Sequence, residues 1–326
     1  MKNTFTNTTV LDLLFNAANR NPSKTYCKSA HHEFTYQQFV AACIKLSNEI
    51  SEKELNKERI GIFLPNSILF LISYFAILIS GNRPALLNYL LPDLALGKMI
   101  DNLEPSLLIS DKELLKSQSI IVKIEDYLEL KVSSIDEADF ICEGTEVGAI
   151  LFSGGTTGIP KQINHSHKCI ISMVDRMEWG WPTTPNEKWL VVAPFTHIYG
   201  FLTGVTNPLL KSGTVFIPDA FDPKLIVEKL NSEEITVFGG GPPATARRSA
   251  EALSRAHHSL GGPPGPAGTS RRSRAGSPGA SRTRGARRRR RRRAAARPRA
   301  RRSCRARLQS PAGVAAAGGA ARSSQT

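Results

Sequence analysis

The sequence has few cysteines and no apolar run long enough to cross a membrane. Its five cysteines are scattered, and no two of them form a C-x-x-C pair. An odd number of cysteines, with no secretory signal at the start of the chain, predicts reduced thiols and a cytoplasmic location. The longest apolar stretch, residues 68–79, is interrupted by Ser73 and is shorter than the about 20 residues of a membrane span. We expect it to form a buried helix that is capped at its start by Asn66 and Ser67.

A metal site is also not predicted. His165 and His167 are two residues apart, so on a helix they do not share a face. No further ligands are evident nearby, although a bound metal such as zinc needs three or four. We expect His167 to cap or pack at the start of a helix.

Positive charge is unevenly distributed along the chain. Residues 1–240 contain 17 Lys and 4 Arg against 27 acidic residues, whereas residues 241–326 contain 22 Arg, no Lys and one acidic residue. The net charge of +15 therefore comes from the end of the chain. This segment also lacks Ile, Phe, Tyr, Trp, Met, Asn and Asp. Because it has little apolar surface to bury, we expect residues 246–326 to form a disordered basic tail.

Two interpretations of this tail are open. Its arginines, which include an unbroken run at residues 287–293, would neutralise the phosphates of a nucleic acid. The tail lacks the aromatic side chains that stack on bases, however. A tail with no selected role is the interpretation that we favour.

The part before the tail alternates between helical and extended patterns. Apolar spacing predicts helices at 8–19, 35–51, 68–79, 94–103 and 221–230, and strands at 59–64, 84–88, 106–110, 120–124, 147–152, 214–219 and 234–238. This alternation predicts an α/β fold with a sheet that is at least partly parallel.

A phosphate-binding loop follows the strand at 147–152. Residues 151–161, LFSGGTTGIPK, contain three glycines, which allow close backbone approach to an anion. Hydroxyl groups and the Lys161 ammonium add donors and charge. The loop differs from the Walker pattern because Pro160 precedes the lysine and no Ser or Thr follows it.

This loop resembles the signature of the adenylate-forming (AMP-binding) superfamily, which includes acyl-CoA synthetases, aryl-acid ligases, luciferases and adenylation domains. Its form there is Ser/Thr-Ser-Gly-Ser/Thr-Thr-Gly-x-Pro-Lys-Gly. Gly154 and Gln162 depart from that form, and the Gly154 variant looks like the aryl-acid-activating branch. The resemblance implies that ATP phosphates are bound by Ser153, Gly154, Gly155, Thr156, Thr157, Gly158 and Lys161.

Two later segments resemble the acyl pocket of the same superfamily. Residues 189–201 read WLVVAPFTHIYGF and begin with an apolar strand that is predicted to end at Pro194. They resemble the Pro-x-x-His-x-x-Gly segment that reaches this pocket. Residues 239–243, GGGPP, resemble its Pro-Pro segment. The resemblance implies catalytic roles for Lys161 and His197, and a substrate pocket formed by His197, Tyr199, Gly200, Gly239, Gly240 and Gly241. An ordinary core strand with one buried histidine is the alternative.

The resemblance covers residues 8–245 and implies the N-terminal portion of the adenylate-forming large domain. It implies activation of a carboxylic acid by ATP with Mg²⁺, followed by transfer to CoA or to the phosphopantetheine of a carrier protein. The aromatic-Gly-Pro-Thr-Glu and Thr-Gly-Asp motifs that follow in the superfamily are not found, nor is a match to its C-terminal lysine domain. We therefore expect residues 1–245 to be an incomplete adenylation domain with impaired catalysis. A phosphate-binding fragment without turnover is the alternative.

Overall fold

Helices and strands alternate along the residues that the structure, a computed structural model, describes: 8–113, 118–130, 146–153 and 160–239. The helices are α1 Val10–Arg20, α2 Tyr36–Ser51, α3 Ile68–Ile79, α4 Asp93–Leu103, α5 His167–Gly180, α6 Ile198–Phe201 and α7 Pro223–Ser232. The strands are β1 Thr25–Lys28, β2 Glu33–Thr35, β3 Arg59–Phe63, β4 Arg83–Leu86, β5 Leu107–Ser110, β6 Ser119–Ile121, β7 Val147–Ser153, β8 Lys161–Ser166, β9 Lys188–Val191, β10 Thr214–Phe216 and β11 Val237–Gly239.

The strands form two mostly parallel sheets. The six-stranded sheet has the order β6-β5-β3-β4-β7-β8, and only β8 runs antiparallel to its neighbour. The five-stranded sheet has the order β11-β9-β10-β1-β2, in which β2 is antiparallel. Since parallel strands end at one edge, the loops after β3, β4, β5 and β7 lie along a single edge of the larger sheet.

Alternate residues of the strands point into different apolar layers. Ile60 and Ile62 of β3 belong to the central core, which also contains side chains of α1, α2, α3 and α5 and one face of each sheet. The other face of the six-stranded sheet packs on α4, and the other face of the five-stranded sheet packs on α7. The layers are therefore α4, sheet, central helices, sheet and α7.

The helices of the central layer begin at specific capping residues. Thr9 and Thr35 form capping boxes with Asp12 and Gln38 at the starts of α1 and α2. Ser67 Oγ accepts a hydrogen bond of 3.1 Å from the Phe70 amide at the start of α3. Helix α3 is apolar around its whole circumference and is buried on all sides, as expected of a helix between two sheets.

The predicted α/β class is confirmed, and the predicted helices are all present within two residues of their expected starts. Several strand boundaries were wrong. The strand predicted at 120–124 ends at Ile121, and a 3₁₀ turn begins at Ile124; the strand predicted to reach Pro194 ends at Val191; the one predicted at 214–219 ends at Phe216. Strands β1, β2 and β8 were not predicted.

None of the helices in the described part of the chain combines the length and apolar character that a membrane span requires. The predicted tail, residues 246–326, lies outside the described residues.

Candidate functional site

The predicted phosphate loop connects two paired strands. Strand β7 enters it at Ser153, and β8 leaves it at Lys161; these two residues are opposite partners in the antiparallel ladder. Ser153 is half-buried and Lys161 is exposed. Gly154, Gly155, Thr156, Thr157 and Gly158 lie outside the described residues. The structure therefore places the two ends of the loop beside each other at the carboxyl edge of the six-stranded sheet.

The Lys161 ammonium has no carboxylate partner among the ion pairs of the described residues. Its charge is therefore not neutralised by a described acid. An exposed lysine beside a glycine-rich turn is suited to bind an anion such as a polyphosphate.

Gln162 is one of the two departures from the superfamily pattern, and its side chain connects this hairpin to α4 by a hydrogen bond. Its Nε2 donates a hydrogen bond of 2.6 Å to the Asn102 carbonyl oxygen, in the last turn of the helix. Asn102 Nδ2 in turn lies 3.5 Å from the Pro160 carbonyl oxygen. Carbonyls in the last turn of a helix have no partner within the helix. The side chain that replaces glycine therefore satisfies one of them and holds the loop's exit.

The two histidines beyond the loop occupy different elements. His165 lies on β8, whereas His167 is the first residue of α5 and is buried. His167 Nδ1 accepts a hydrogen bond of 3.2 Å from the Val10 amide, and burial lowers the pKa of His167 to about 4. It packs at a helix start, as predicted. The described residues contain no cluster of three or more His, Cys, Asp or Glu that would hold a metal ion.

The segment that carries His197 turns back on itself after β9. The His197 amide donates to the Pro194 carbonyl oxygen at 3.0 Å. The ring Nδ1 accepts from the Tyr199 amide at 3.3 Å. The side chains of His197 and Tyr199 are exposed. The rings of His197 and Tyr199 are thus accessible to a ligand.

Gly200 is buried, and its place is explained by packing. A Cβ atom on Gly200 would overlap the carbonyl oxygens of Ala193 and Pro194. Glycine allows α6 to begin directly against these carbonyls. The structure therefore gives Gly200 a backbone-packing reason, beside its predicted place in the pocket. A widened, π-helical turn, Leu202–Thr206, follows α6.

Asn66 links the two sheets, and sequence reasoning did not identify it as a site residue. We expected Asn66 and Ser67 to cap α3, and only Ser67 does so. Asn66 Oδ1 accepts a hydrogen bond of 2.8 Å from the Phe195 amide, and Asn66 Nδ2 donates one of 2.8 Å to the Ala193 carbonyl oxygen. The end of β3 in one sheet is thereby joined to the segment after β9 in the other.

A cleft of about 230 Å³ lies where the carboxyl ends of β3, β4, β9 and β10 meet. Its lining is largely apolar and includes a few polar groups: Leu64, Pro65, Asn66, Asn88, Tyr89, Leu90, Val191, Val192, Pro194, Thr196, Pro218, Asp219, Ala220 and Phe221. Ligands of open α/β sheets bind outside the carboxyl ends of the strands, and concave apolar sites with a few polar groups are typical ligand pockets. This cleft is the candidate substrate site.

The predicted pocket residues His197, Tyr199 and Gly200 do not line this cleft, although neighbours of the predicted residues do. Thr196, the neighbour of His197, lines it. Gly239 ends β11 opposite Val191, which also lines it. Gly240 and Gly241 lie outside the described residues. Ser153 and Lys161 do not line the cleft, but β7, which ends at Ser153, pairs with β4, whose following loop does.

Tyr89 forms one wall of the cleft. Its hydroxyl donates a hydrogen bond of 3.2 Å to Asp111 Oδ2, and Lys112 Nζ lies 5.0 Å from its ring centroid. Burial, reinforced by the negative charge of Asp111, raises the pKa of Tyr89. The hydroxyl therefore remains a protonated donor.

Comparison with known proteins identifies related sequences. A family model described as AMP-binding enzyme matches residues 14–289. The human mitochondrial malonate–CoA ligase ACSF3 is 25% identical over 232 residues, which are 65% of this chain and 40% of that protein. A long-chain-fatty-acid–CoA ligase of Bacillus subtilis is 25% identical over 285 residues, covering 72% of this chain and 50% of that one. The D-alanine–D-alanyl carrier protein ligase of Lactococcus lactis is 24% identical over 246 residues, covering 72% and 48%.

The chain thus spans about half the length of the curated relatives that it matches. Among solved structures, Bacillus subtilis o-succinylbenzoate CoA synthetase with the acyl-adenylate intermediate superimposes with a TM-score of 0.66 at 17% identity, covering 76% of this chain and 65% of that one. The same enzyme with ATP and a magnesium ion gives a TM-score of 0.61 at 17% identity, covering 72% and 63%. These likenesses confirm the predicted fold of the adenylate-forming domain.

Proposed function

The chain belongs to the family of AMP-binding enzymes, and from this premise we propose that it activates a carboxylic acid with ATP and passes the acyl group to a thiol. One observation carries the proposal. The β7–β8 hairpin sets Ser153 and Lys161 opposite each other at the two ends of a glycine-rich loop. A hydroxyl donor and a cation at the ends of such a loop suit the phosphates of ATP.

In the first proposed step, a carboxylate oxygen of the acid attacks the α-phosphorus of ATP. A new bond forms between this oxygen and phosphorus, the bond from the α-phosphorus to the bridging oxygen breaks, and pyrophosphate leaves. Both reactants are anionic, so the rate depends on positioning and on neutralising charge. We assign Lys161 to the β- and γ-phosphates, where its ammonium stabilises the pyrophosphate that departs, and Ser153 to a hydrogen bond with the same phosphates.

In the second proposed step, the thiol sulfur attacks the acyl carbonyl carbon. The carbon–sulfur bond forms, the bond from the carbonyl carbon to the AMP oxygen breaks, and the thiol proton is released. We propose CoA or the phosphopantetheine of a carrier protein as the thiol. A carrier-protein ligase and CoA ligases are among the relatives, which supports both acceptors equally.

The acid is proposed to lie in the cleft beside His197. His197 and Tyr199 have exposed side chains and follow closely after Thr196, which lines the cleft. Gly239, Gly240 and Gly241 are proposed for the opposite part of this pocket, after β11. The apolar lining favours an acid with an aliphatic or aromatic body, and the Gly154 variant of the loop favours an aryl acid.

No step is assigned to a metal ion. The described residues contain no group of three or more His, Cys, Asp or Glu that could hold a metal ion, and none of them is assigned to the Mg²⁺ that the resemblance implies. The cytoplasmic location and the domain limits at residues 245 and 246 stay predictions. Binding of nucleic acid by the Arg-rich segment is supported by none of the comparisons and is not proposed.

The direct test is exchange of labelled pyrophosphate into ATP by the full chain. The acids to be offered are malonate, a long-chain fatty acid, 2-succinylbenzoate and D-alanine, which the relatives' names supply. Exchange that depends on one acid is the expected result. Calorimetric titration with ATP runs in parallel. ATP binding without exchange for any acid would contradict the proposal and favour a nucleotide-binding protein without turnover.

A further inference from the structure

The Asn66 amide takes the place of a paired strand for the segment that leads to His197. Among the described residues, the pairing of strand β9 with β11 extends to Val191 opposite Gly239. Beyond it, Asn66 contacts both Ala193 and Phe195, with one donor bond and one acceptor bond of 2.8 Å each. A carboxamide offers one N–H and one C=O side, as a peptide group does. The contact therefore continues the sheet-like pairing of residues 193–195 through a side chain.

This contact controls the backbone immediately before His197. The Pro194 carbonyl, between the two bonded residues, accepts the hydrogen bond from the His197 amide. The Phe195 ring is fully buried, with its centroid 5.3 Å from that of Phe70 on α3. The Phe195 ring fixes the segment on the apolar side, and Asn66 fixes its backbone on the polar side.

The same contact shapes the cleft. Asn66 lines it together with Val192, Pro194 and Thr196 of the segment that it holds. Asn66 and these residues come from different sheets. A movement of the segment relative to β3 would change both the width of the cleft and the place of His197.

We propose that Asn66 is a positioning residue that sets the His197 segment relative to the cleft, so that it governs use of the acid but not binding of ATP. The inference rests on the proposed function for the role of the acid. Ser153 and Lys161 approach the site from another strand and do not contact Asn66 or residues 193–197 in any described hydrogen bond. Replacement of the Asn66 amide should therefore impair use of the acid and leave the affinity for ATP unchanged.

The test compares the unsubstituted chain with Asn66→Ala, Asn66→Asp and a control, Asn231→Ala. Asn231 lies on α7 and donates an exposed 3.0 Å hydrogen bond to the Val227 carbonyl oxygen, so the control removes an asparagine bond remote in sequence from the segment. Asn66→Ala removes both bonds, whereas Asn66→Asp keeps an acceptor for the Phe195 amide and loses the donor to Ala193.

Hydrogen exchange and the His197 ring resonances are measured first. Asn66→Ala should speed exchange of the Phe195 amide by about tenfold, the factor expected for the loss of one hydrogen bond. Asn66→Asp should also speed this exchange, because its second carboxylate oxygen faces the Ala193 carbonyl oxygen, whereas Asn231→Ala should leave it unchanged. The His197 ring signals should shift in Asn66→Ala. Unchanged exchange at 193–197, or an equal increase throughout the chain, would overturn the inference.

Pyrophosphate exchange then separates positioning from a structural role. In Asn66→Ala the KM for the acid should rise, or kcat fall, by about tenfold, while the Kd for ATP stays within twofold of wild type. An equal loss for ATP and acid would overturn the inference. If the wild type shows no acid-dependent exchange, the proposed function fails, and Asn66 is then judged by the amide exchange and ring signals alone.

Discussion

Lys161 stands directly opposite Ser153 in the ladder between β7 and β8, so both ends of the glycine-rich loop are fixed by backbone pairing. The pairing continues along β8 to Ser166 opposite Val147. A loop whose ends are held loses less conformational freedom when it closes on a ligand than one with free ends. The hairpin thus provides a pre-organised base for an anion site.

The charge of Lys161 should contribute measurably to ATP affinity. We expect Lys161→Ala to weaken ATP binding by about tenfold or more, since a charge-assisted hydrogen bond contributes about 1.5–3 kcal/mol. Lys161→Arg should recover part of the loss because it keeps the charge. Calorimetric titration of ATP at two salt concentrations checks this. Lys53→Ala, at an exposed lysine after α2, is the control, and a loss of similar size there would contradict the assignment.

The Gln162 side chain should stabilise the hairpin although the superfamily pattern has glycine at this position. Gln162→Gly removes the 2.6 Å bond to the Asn102 carbonyl and adds backbone freedom. We expect a loss of about 1 kcal/mol in the free energy of unfolding, measured with urea. Gln162→Ala is the matched comparison, because it removes the same bond without the backbone freedom of glycine. A Gln162→Ala protein as stable as wild type would show that the Gln162 bond does not stabilise the hairpin.

Acid should destabilise the fold through His167. Burial lowers its pKa to about 4, against the opposing effects of Glu146 and Asp12. Its ordinary value in an unfolded chain is 6.5. Between these values the unfolded state binds more protons, so stability falls as the pH decreases from 6.5 to 4. Protonation linked to His167 then lowers the free energy of unfolding by at most about 3 kcal/mol.

The measurement is the free energy of unfolding from pH 7 to pH 4 for wild type and His167→Gln. The variant should lose less stability over this range than wild type does. His31→Gln is the control, because His31 is exposed and its imidazole lies 3.9 Å from Asp219. If His167→Gln keeps the wild-type slope, the pH dependence has another origin.

Sequence periodicity predicted the elements whose burial repeats regularly. Helix α2 buries Phe39, Cys43, Leu46 and Ile50 on one side, and its predicted limits differ from the observed ones by a single residue. Strand β8 was missed because its residues, KQINHS, are largely exposed or half-buried and do not alternate. It is held by pairing with β7, which composition does not reveal.

The candidate site was predictable only where a contiguous motif carries it. The loop at 151–161 and the His197 segment were identified from the order of their residues, and their proposed roles stay predictions. The Asn66 contacts join residues 127 and 129 positions apart. Such a contact depends on the relative placement of two sheets, which a local pattern does not encode. The cleft between four strand ends was unpredicted for the same reason.

Gly200 gives a prediction with a matched glycine in the same protein. Gly200→Ala places a Cβ atom against the carbonyl oxygens of Ala193 and Pro194, and backbone atoms yield less easily than side-chain ends. We expect a loss of about 1–3 kcal/mol in the free energy of unfolding. Gly97→Ala lies in α4, where an added Cβ meets no atom within 4 Å. It should gain about 0.5–1 kcal/mol because alanine favours the helix.

Urea unfolding of both variants beside wild type measures the difference. The same glycine-to-alanine change should lower the free energy of unfolding at Gly200 and raise it at Gly97. The loss in Gly200→Ala should be accompanied by faster amide exchange at 193–201. A Gly200→Ala protein as stable as wild type would show that α6 does not pack directly on these carbonyls. The position of His197, which begins that turn, would then have to be fixed by Asn66 and Phe195 without help from the glycine.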